Sequence, residues 1–331
     1  MKKPLVLFAA GAMMLAVSCT KSTNQEANLP NEDENNIAVN GRHCASHEVL
    51  QEQLKNDPGL AKKMNDIEEF TRKALANPEQ YKVLSDGTLE LPVWVNVLYK
   101  TSAENISDAQ IQSQIDVLNE DYGFTNADKS SIPSLFTGVQ SGDIKIRFKW
   151  DPSRVTRKST TKTSWRTDDA MKKSSRGGIN PTSPTTTLNI WVCNLSSGLL
   201  GYAQFPGGSS STDGVVIDNN AFGRGNYSLF TAFNKGRTAT HEVGHWFNLR
   251  HIWGDATCGN DQVGDTPLHN AANYGCPTYP HLSTCTGSPV EMTMNYMDYT
   301  DDACMYMFTL GQAARMQATY AVGGPRAGLR P

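Results

Sequence analysis

The sequence predicts an α/β fold in two unequal halves. Strands and helices alternate up to about residue 246, and a mostly irregular stretch follows. Three observations carry that reading. Short apolar runs alternate with amphipathic segments throughout the part before residue 237. The run His241-Glu242-Val243-Gly244-His245 has helical spacing, and the chain soon after it holds little periodicity. Four cysteines, Cys258, Cys276, Cys285 and Cys304, cluster in that later part, where cross-links can replace regular structure.

The elements follow in order. Met1-Lys2-Lys3 and the apolar run Leu5–Val17 form an export signal over residues 1–18, too short to cross a bilayer. Ala16-Val17-Ser18-Cys19 resembles a bacterial lipoprotein cleavage site with Cys19 as the acylated residue; a plain signal peptide and a released protein is the alternative. Thr20–Asn40 is polar and reads as a tether. His47–Leu75 has helical spacing, broken into two helices at Asp57-Pro58. Leu91–Tyr99 is a strand, Ser107–Tyr122 an amphipathic helix with Ser107 as its cap, and Ile144–Trp150 a half-buried strand. Arg154–Pro184 is polar and basic and reads as a long surface excursion. Leu188–Val192 and Gly214–Asp218 are further strands. No internal repeat occurs.

The 331 residues carry a net charge of −3, which gives no basis for a nucleic-acid partner or an electrostatic membrane surface. Any membrane contact would run through a lipid on Cys19. Hydrophobic content of 38% with six tryptophans suffices for a core.

On a helix, His241 and His245 lie one turn apart and share a face. His251 stands too far along to share it unless the chain turns back. Asn248 is placed to do so, because Asn tolerates the left-handed conformation that ends many helices. Three imidazoles then occupy three corners of a tetrahedron and leave the fourth for water, the arrangement of a catalytic zinc site. Glu242, beside the first histidine, is placed to hold that water as a general base. Near the N-terminus, Arg42-His43-Cys44 has the setting of a cysteine switch, in which the Cys44 thiolate takes the fourth zinc position and keeps an enzyme latent. A disulfide from Cys44 to Cys193, or an intermolecular bridge, is the alternative; Cys193 itself reads as a buried, inert thiol.

From Leu91 to Leu310 these features resemble the pappalysin family of metzincin metalloproteases, its small bacterial members above all. The resemblance implies an α/β metzincin-like fold. An upper subdomain would hold a twisted mixed sheet and the zinc helix, and a lower, irregular, disulfide-stapled subdomain the Met-turn. It matches the Met-turn to Asn295-Tyr296-Met297-Asp298-Tyr299, with Met297 as an apolar floor under the imidazoles. It gives Tyr299 an oxyanion-stabilising hydroxyl. It implies the crossed pairing Cys258–Cys285 and Cys276–Cys304, one of three that the sequence allows. It implies structural calcium on Asp261, the Val263 carbonyl, Asp265 and Thr266. Gly201, Tyr202 and Ala203 resemble the cleft-lining edge strand that pairs with an extended peptide. Cleavage before basic residues, arginine above all, is implied too, with Asp302 ahead of Asp301 as the pocket carboxylate.

The expected protein is an exported zinc endopeptidase, secreted or lipid-anchored on a bacterial surface, monomeric, and acting on protein or peptide substrates. Tether and propeptide take residues 19–60, and the catalytic domain takes 61–331. An amidase acting on cell-wall peptides and an inactive surface-binding lipoprotein are the alternatives.

Overall fold

A computed structural model describes residues 41–81 and 87–330. The export signal, Cys19 and the tether lie outside the described residues. Two helices open the described chain, α1 (Ser46–Asn56) and α2 (Leu60–Ala76), with Asp57-Pro58 between them as the proline requires. Next come β1 (Leu89–Tyr99) and α3 (Asp108–Tyr122), whose cap Ser107 accepts a hydrogen bond from the Gln110 amide. Then follow β2 (Ile146–Lys149), β3 (Val155–Ser159), β4 (Leu188–Cys193), β5 (Gly201–Ala203) and β6 (Val215–Asp218). Helices α4 (Arg237–Trp246) and α5 (Leu310–Thr319) complete the regular elements.

The six strands form one sheet in the order β2-β1-β4-β6-β5. The long β1 serves two neighbours on one side: Leu89–Pro92 pair with β2, and Val95–Tyr99 with β3. All pairings are parallel except that of β5, which runs antiparallel to β6 at the far edge.

Every residue of β4 is buried, as expected for a parallel strand covered on both faces. Leu188, Ile190 and Val192 face the main core with α3 and α4, while Trp191 and Cys193 face a second, smaller core. That second core corrects the reading of residues 154–184 as a surface excursion. The stretch supplies β3, and its Trp165, Met171 and Ile179 cover the other face of the sheet. Its buried Lys172 donates to Asp169 and to the Thr212 carbonyl, both at 2.9 Å, and lies beside the Trp191 and Tyr202 rings. These apolar residues stand singly in a polar run, so no periodicity announces them.

After α4 the chain is irregular until α5, as expected. Disulfides join Cys258 to Cys285 and Cys276 to Cys304. Each closes a loop of nearly thirty residues in a region with few ladder hydrogen bonds, where such bridges contribute about 2–5 kcal/mol. Cys193 is buried and unbridged, its thiol pushed up chiefly by burial.

Candidate active site

Helix α4 packs against β5, β6 and α3 and is buried along its whole length. Gly201 lets it come close to the edge strand: a Cβ there would stand 2.8 Å from the Val216 carbonyl oxygen and 3.1 Å from Glu242. The helix ends in a Schellman motif. The Asn248 amide donates to His245 O, the Leu249 amide donates to Gly244 O, and Asn248 takes φ +73°. Arg315 of α5 donates to the Asn248 carbonyl at 2.7 Å and pairs with Glu68 of α2, so the turn is held from outside as well.

That turn brings His251 back to the two helical histidines. The Nε2 atoms of His241 and His251 each lie 3.1 Å from His245 Nε2. Every Nδ1 faces an oxygen: Tyr296 O for His241, Leu249 O for His245 and an Asp255 carboxylate oxygen for His251. Carbonyl oxygens cannot donate, so at least the first two rings carry their proton on Nδ1 and turn bare Nε2 lone pairs toward one another. Burial first, and then the neighbouring imidazoles, push His241 and His245 well below the usual histidine range, which keeps them neutral. Such a cluster needs a cation to hold it together. Three nitrogens about 2.05 Å from a tetrahedral centre would stand about 3.3 Å apart, close to what is observed. Cys44 Sγ joins the group: one ligand atom from each of Cys44, His241, His245 and His251 lies within 4.8 Å of all the others. The donor set fits zinc.

Met297 is fully buried against α4, with its sulfur 2.6 Å from where a Cβ on Gly244 would be. Any side chain at position 244 would displace it. Its backbone amide donates to Asn295 Oδ1, and the Asn295 amide pairs reciprocally with Gln312 of α5.

Residues 42–46 cover the histidine cluster and Glu242. Cys44 bridges in parallel to Gly201, the Leu200 amide donates to His43 O, and the Ala45 amide donates to Gly201 O. The outer edge of β5 is therefore taken by the protein's own chain. The Tyr202 side chain turns away from the cleft and donates to Asp169 at 2.9 Å in the second core, so what the strand offers is backbone. Cys44 is a free thiol, unbridged to Cys193, and donates to Glu242 Oε2 at 3.3 Å. Burial, and next the Glu242 charge, push that thiol up. Ser46 Oγ donates to the same Glu242 oxygen at 2.8 Å and accepts from the Ala203 amide at 2.8 Å. Burial pushes Glu242 up to about 7 despite these contacts. The Tyr299 hydroxyl donates to the Cys44 carbonyl at 2.9 Å, and its ring lies 4.9 Å from that of His251.

Asp302 is fully buried in an adjoining pocket, and Arg42 fills that pocket. Arg42 Nη2 donates to Asp302 Oδ1 at 2.7 Å, Nη1 to Thr238 Oγ1 at 3.0 Å and Nε to the Thr300 carbonyl at 3.3 Å. The other Asp302 oxygen accepts from the Lys235 and Arg237 amides. Asp301, the second choice, is only partly buried. Sequence reasoning gave no part to Ser46, Asp255 or the Arg42 side chain. An aspartate four residues after a ligand histidine was the one local clue, and it pointed to Asp255.

The calcium candidates are only partly gathered. Asp261 accepts from the Val263 amide and from Thr266 Oγ1, which also contacts the Val263 carbonyl. Asp265 instead caps α5, accepting from Thr309 Oγ1 at 2.7 Å and the Gly311 amide at 2.8 Å. Burial pushes Asp261 up to about 6 despite the hydrogen bonds from Thr266 and the Val263 amide.

Comparisons with known proteins agree with this geometry. The family model described as pregnancy-associated plasma protein-A, a peptidase family, matches residues 182–321. An extracellular metalloprotease of Arthroderma otae is 34% identical over 251 residues, 73% of this chain and 82% of the relative. One from Pyricularia oryzae is 35% identical over 243 residues, 71% and 76% of the two chains. Among solved structures, Tannerella forsythia mature mirolysin in complex with a cleaved peptide is 46% identical. It has a TM-score of 0.70 and covers 73% of this chain and 96% of its own. A glutamate-to-alanine mutant of Tannerella forsythia promirolysin is 41% identical with a TM-score of 0.78, covering 87% and 97%.

Proposed function

We propose that this chain, which belongs to the pappalysin family of zinc metalloendopeptidases, hydrolyses peptide bonds with Glu242 as general base and is held latent by Arg42–Ser46. The observation that carries this reading is the convergence of three histidine Nε2 atoms and the Cys44 sulfur beside a buried glutamate. Zinc, when bound by His241, His245 and His251, supplies Lewis acidity toward a carbonyl oxygen and a water at neutral pH.

The chain's own residues do the rest. Glu242 takes a proton from the attacking water and returns it to the leaving amine. Tyr299 donates to the carbonyl oxygen as negative charge develops there, much as its hydroxyl now donates to the Cys44 carbonyl. Gly201 and Ala203 offer their outward backbone groups to an extended substrate once residues 42–46 have left. With Cys44 at the metal and Ser46 on Glu242, both reacting positions are blocked in the latent form.

Arg42 supports a preference for arginine after the scissile bond. A buried Asp302 takes one guanidinium already, and an unpaired cation there would cost several kcal/mol, on the order of 3–5. Arg42 precedes the residue at the metal, whereas a substrate arginine would follow the scissile carbonyl. A substrate must therefore run opposite to the latency segment, and that reversal protects the segment from being cut in place.

The expected boundary at residue 60 falls on the first residue of α2. We place α2 in the released segment as well. The promirolysin match covers 87% of the chain and the mature one 73%, and α2 leans on the catalytic body through Glu68 and Arg315. Acylation of Cys19, an extracellular location and calcium on Asp261, Val263 and Thr266 complete the proposal. For location, the supporting fact is that the curated relatives are named extracellular.

The test is a peptide-library digest with processed enzyme, with and without a zinc chelator. We expect chelator-sensitive cuts before Arg. Asp302→Asn should lower kcat/KM for Arg peptides by about 10–100-fold while sparing apolar ones. Evenly spread cuts would refute the preference.

A further inference from the structure

Gly41, the residue before Arg42, rests on the ring of Tyr274. A Cβ at position 41 would stand 2.7 Å from Tyr274 Cδ1 and 3.3 Å from Cε1, and Gly41 has φ +94°. The latency segment thus places a residue without a side chain one step beyond the arginine pocket, on the side away from Cys44.

Tyr274 is 54% exposed even with the segment in place, so the core does not depend on its ring. Its position is nevertheless built. The preceding Asn273 amide donates to Asp298 Oδ1 at 2.9 Å, and the Asn273 side chain donates to Glu291 and Asp298. The following Gly275 carbonyl accepts from the Asp301 amide at 2.9 Å, and Cys276 is bridged to Cys304. The Tyr274 ring meets that of Tyr299 edge-on, with centroids 5.9 Å apart. The segment that carries Tyr299 and Asp302 therefore also fixes the backbone of Tyr274 on both sides.

We propose that Tyr274 is a specificity-determining wall of the subsite next to the arginine pocket, and that it confines the second residue after the scissile bond to small side chains. The proposal rests on the reading of Asp302 as the partner of an arginine following that bond. A substrate arginine seated there leads, in the direction away from the scissile bond, to the space Gly41 fills. A bulkier side chain would have to displace a ring whose Cα cannot move with it, whereas Gly, Ala or Ser would not.

The experiment uses processed enzyme and peptides with Arg, or Leu as control, after the scissile bond, followed by Gly, Ala, Leu or Phe. Wild type should cleave the Arg-Gly and Arg-Ala peptides about tenfold better in kcat/KM than Arg-Leu or Arg-Phe, a normal size for steric exclusion in a subsite. Tyr274→Ala should bring that ratio below about two and leave the Arg-over-Leu preference unchanged. Tyr274→Trp should widen it, which keeps the test open if the alanine variant folds poorly. An unchanged ratio in a folded Tyr274 variant, or none in wild type, overturns the wall alone while the Arg preference stands. Absence of any Arg preference in wild type overturns the pocket reading, and the proposal with it.

Discussion

The histidine side of the site and the Arg42–Ser46 side that covers it are fastened by opposite means. His241 and His245 are oriented by backbone carbonyls of their own neighbourhood, Tyr296 O and Leu249 O, and Met297 is seated against Gly244. None of these contacts involves a residue before α3. The covering side reaches the catalytic body through side chains and one short β-bridge: Arg42 to Asp302, Cys44 toward the histidines, Ser46 to Glu242 and Ala203. Losing it leaves the histidine side's own bonds intact. An enzyme kept latent by such a cover needs no refolding on activation, only removal of a segment from a site already assembled.

Substitutions on the two sides should therefore fail differently. The largest effect belongs to Glu242→Gln, which should lower kcat/KM by about 10²–10⁴-fold with zinc content unchanged; metal analysis beside a peptide assay checks both. A variant with near wild-type turnover would take Glu242 out of the mechanism. Asp255→Asn acts on the same side through His251 and should weaken zinc binding by about 10–100-fold, read by chelator competition. Burial works against the Asp255 charge, but the His251 hydrogen bond brings the group down to about 2, so it stays ionised at any working pH. Cys44→Ala, on the covering side, should leave zinc affinity of the processed enzyme untouched and shorten the lag before activity appears. A lag equal to wild type would show that Arg42 and Ser46 hold the cover without the thiol.

The same division marks what the sequence makes legible. The zinc helix, the Asn248 turn and strands β1, β4 and β6 are visible because local rules govern them: helical spacing, left-handed tolerance, apolar runs. Residues 154–184 are not. Trp165, Met171 and Ile179 become core only because β4 and β6 present an uncovered face to them. Nor is the pairing of Arg42 with Asp302, which spans 260 positions, or the placing of Ser46 on Glu242. Both are tertiary facts, written in no periodicity.

The central claim is that Cys44 holds the fourth position on zinc in the full-length protein and gives it up on activation. X-ray absorption at the zinc edge, before and after removal of the N-terminal segment, measures this directly. The full-length protein should show three nitrogen scatterers at about 2.0–2.1 Å and one sulfur at about 2.3 Å; the processed enzyme should show the nitrogens without the sulfur. A latent protein with no sulfur on zinc, or an active enzyme that retains it, would contradict the account.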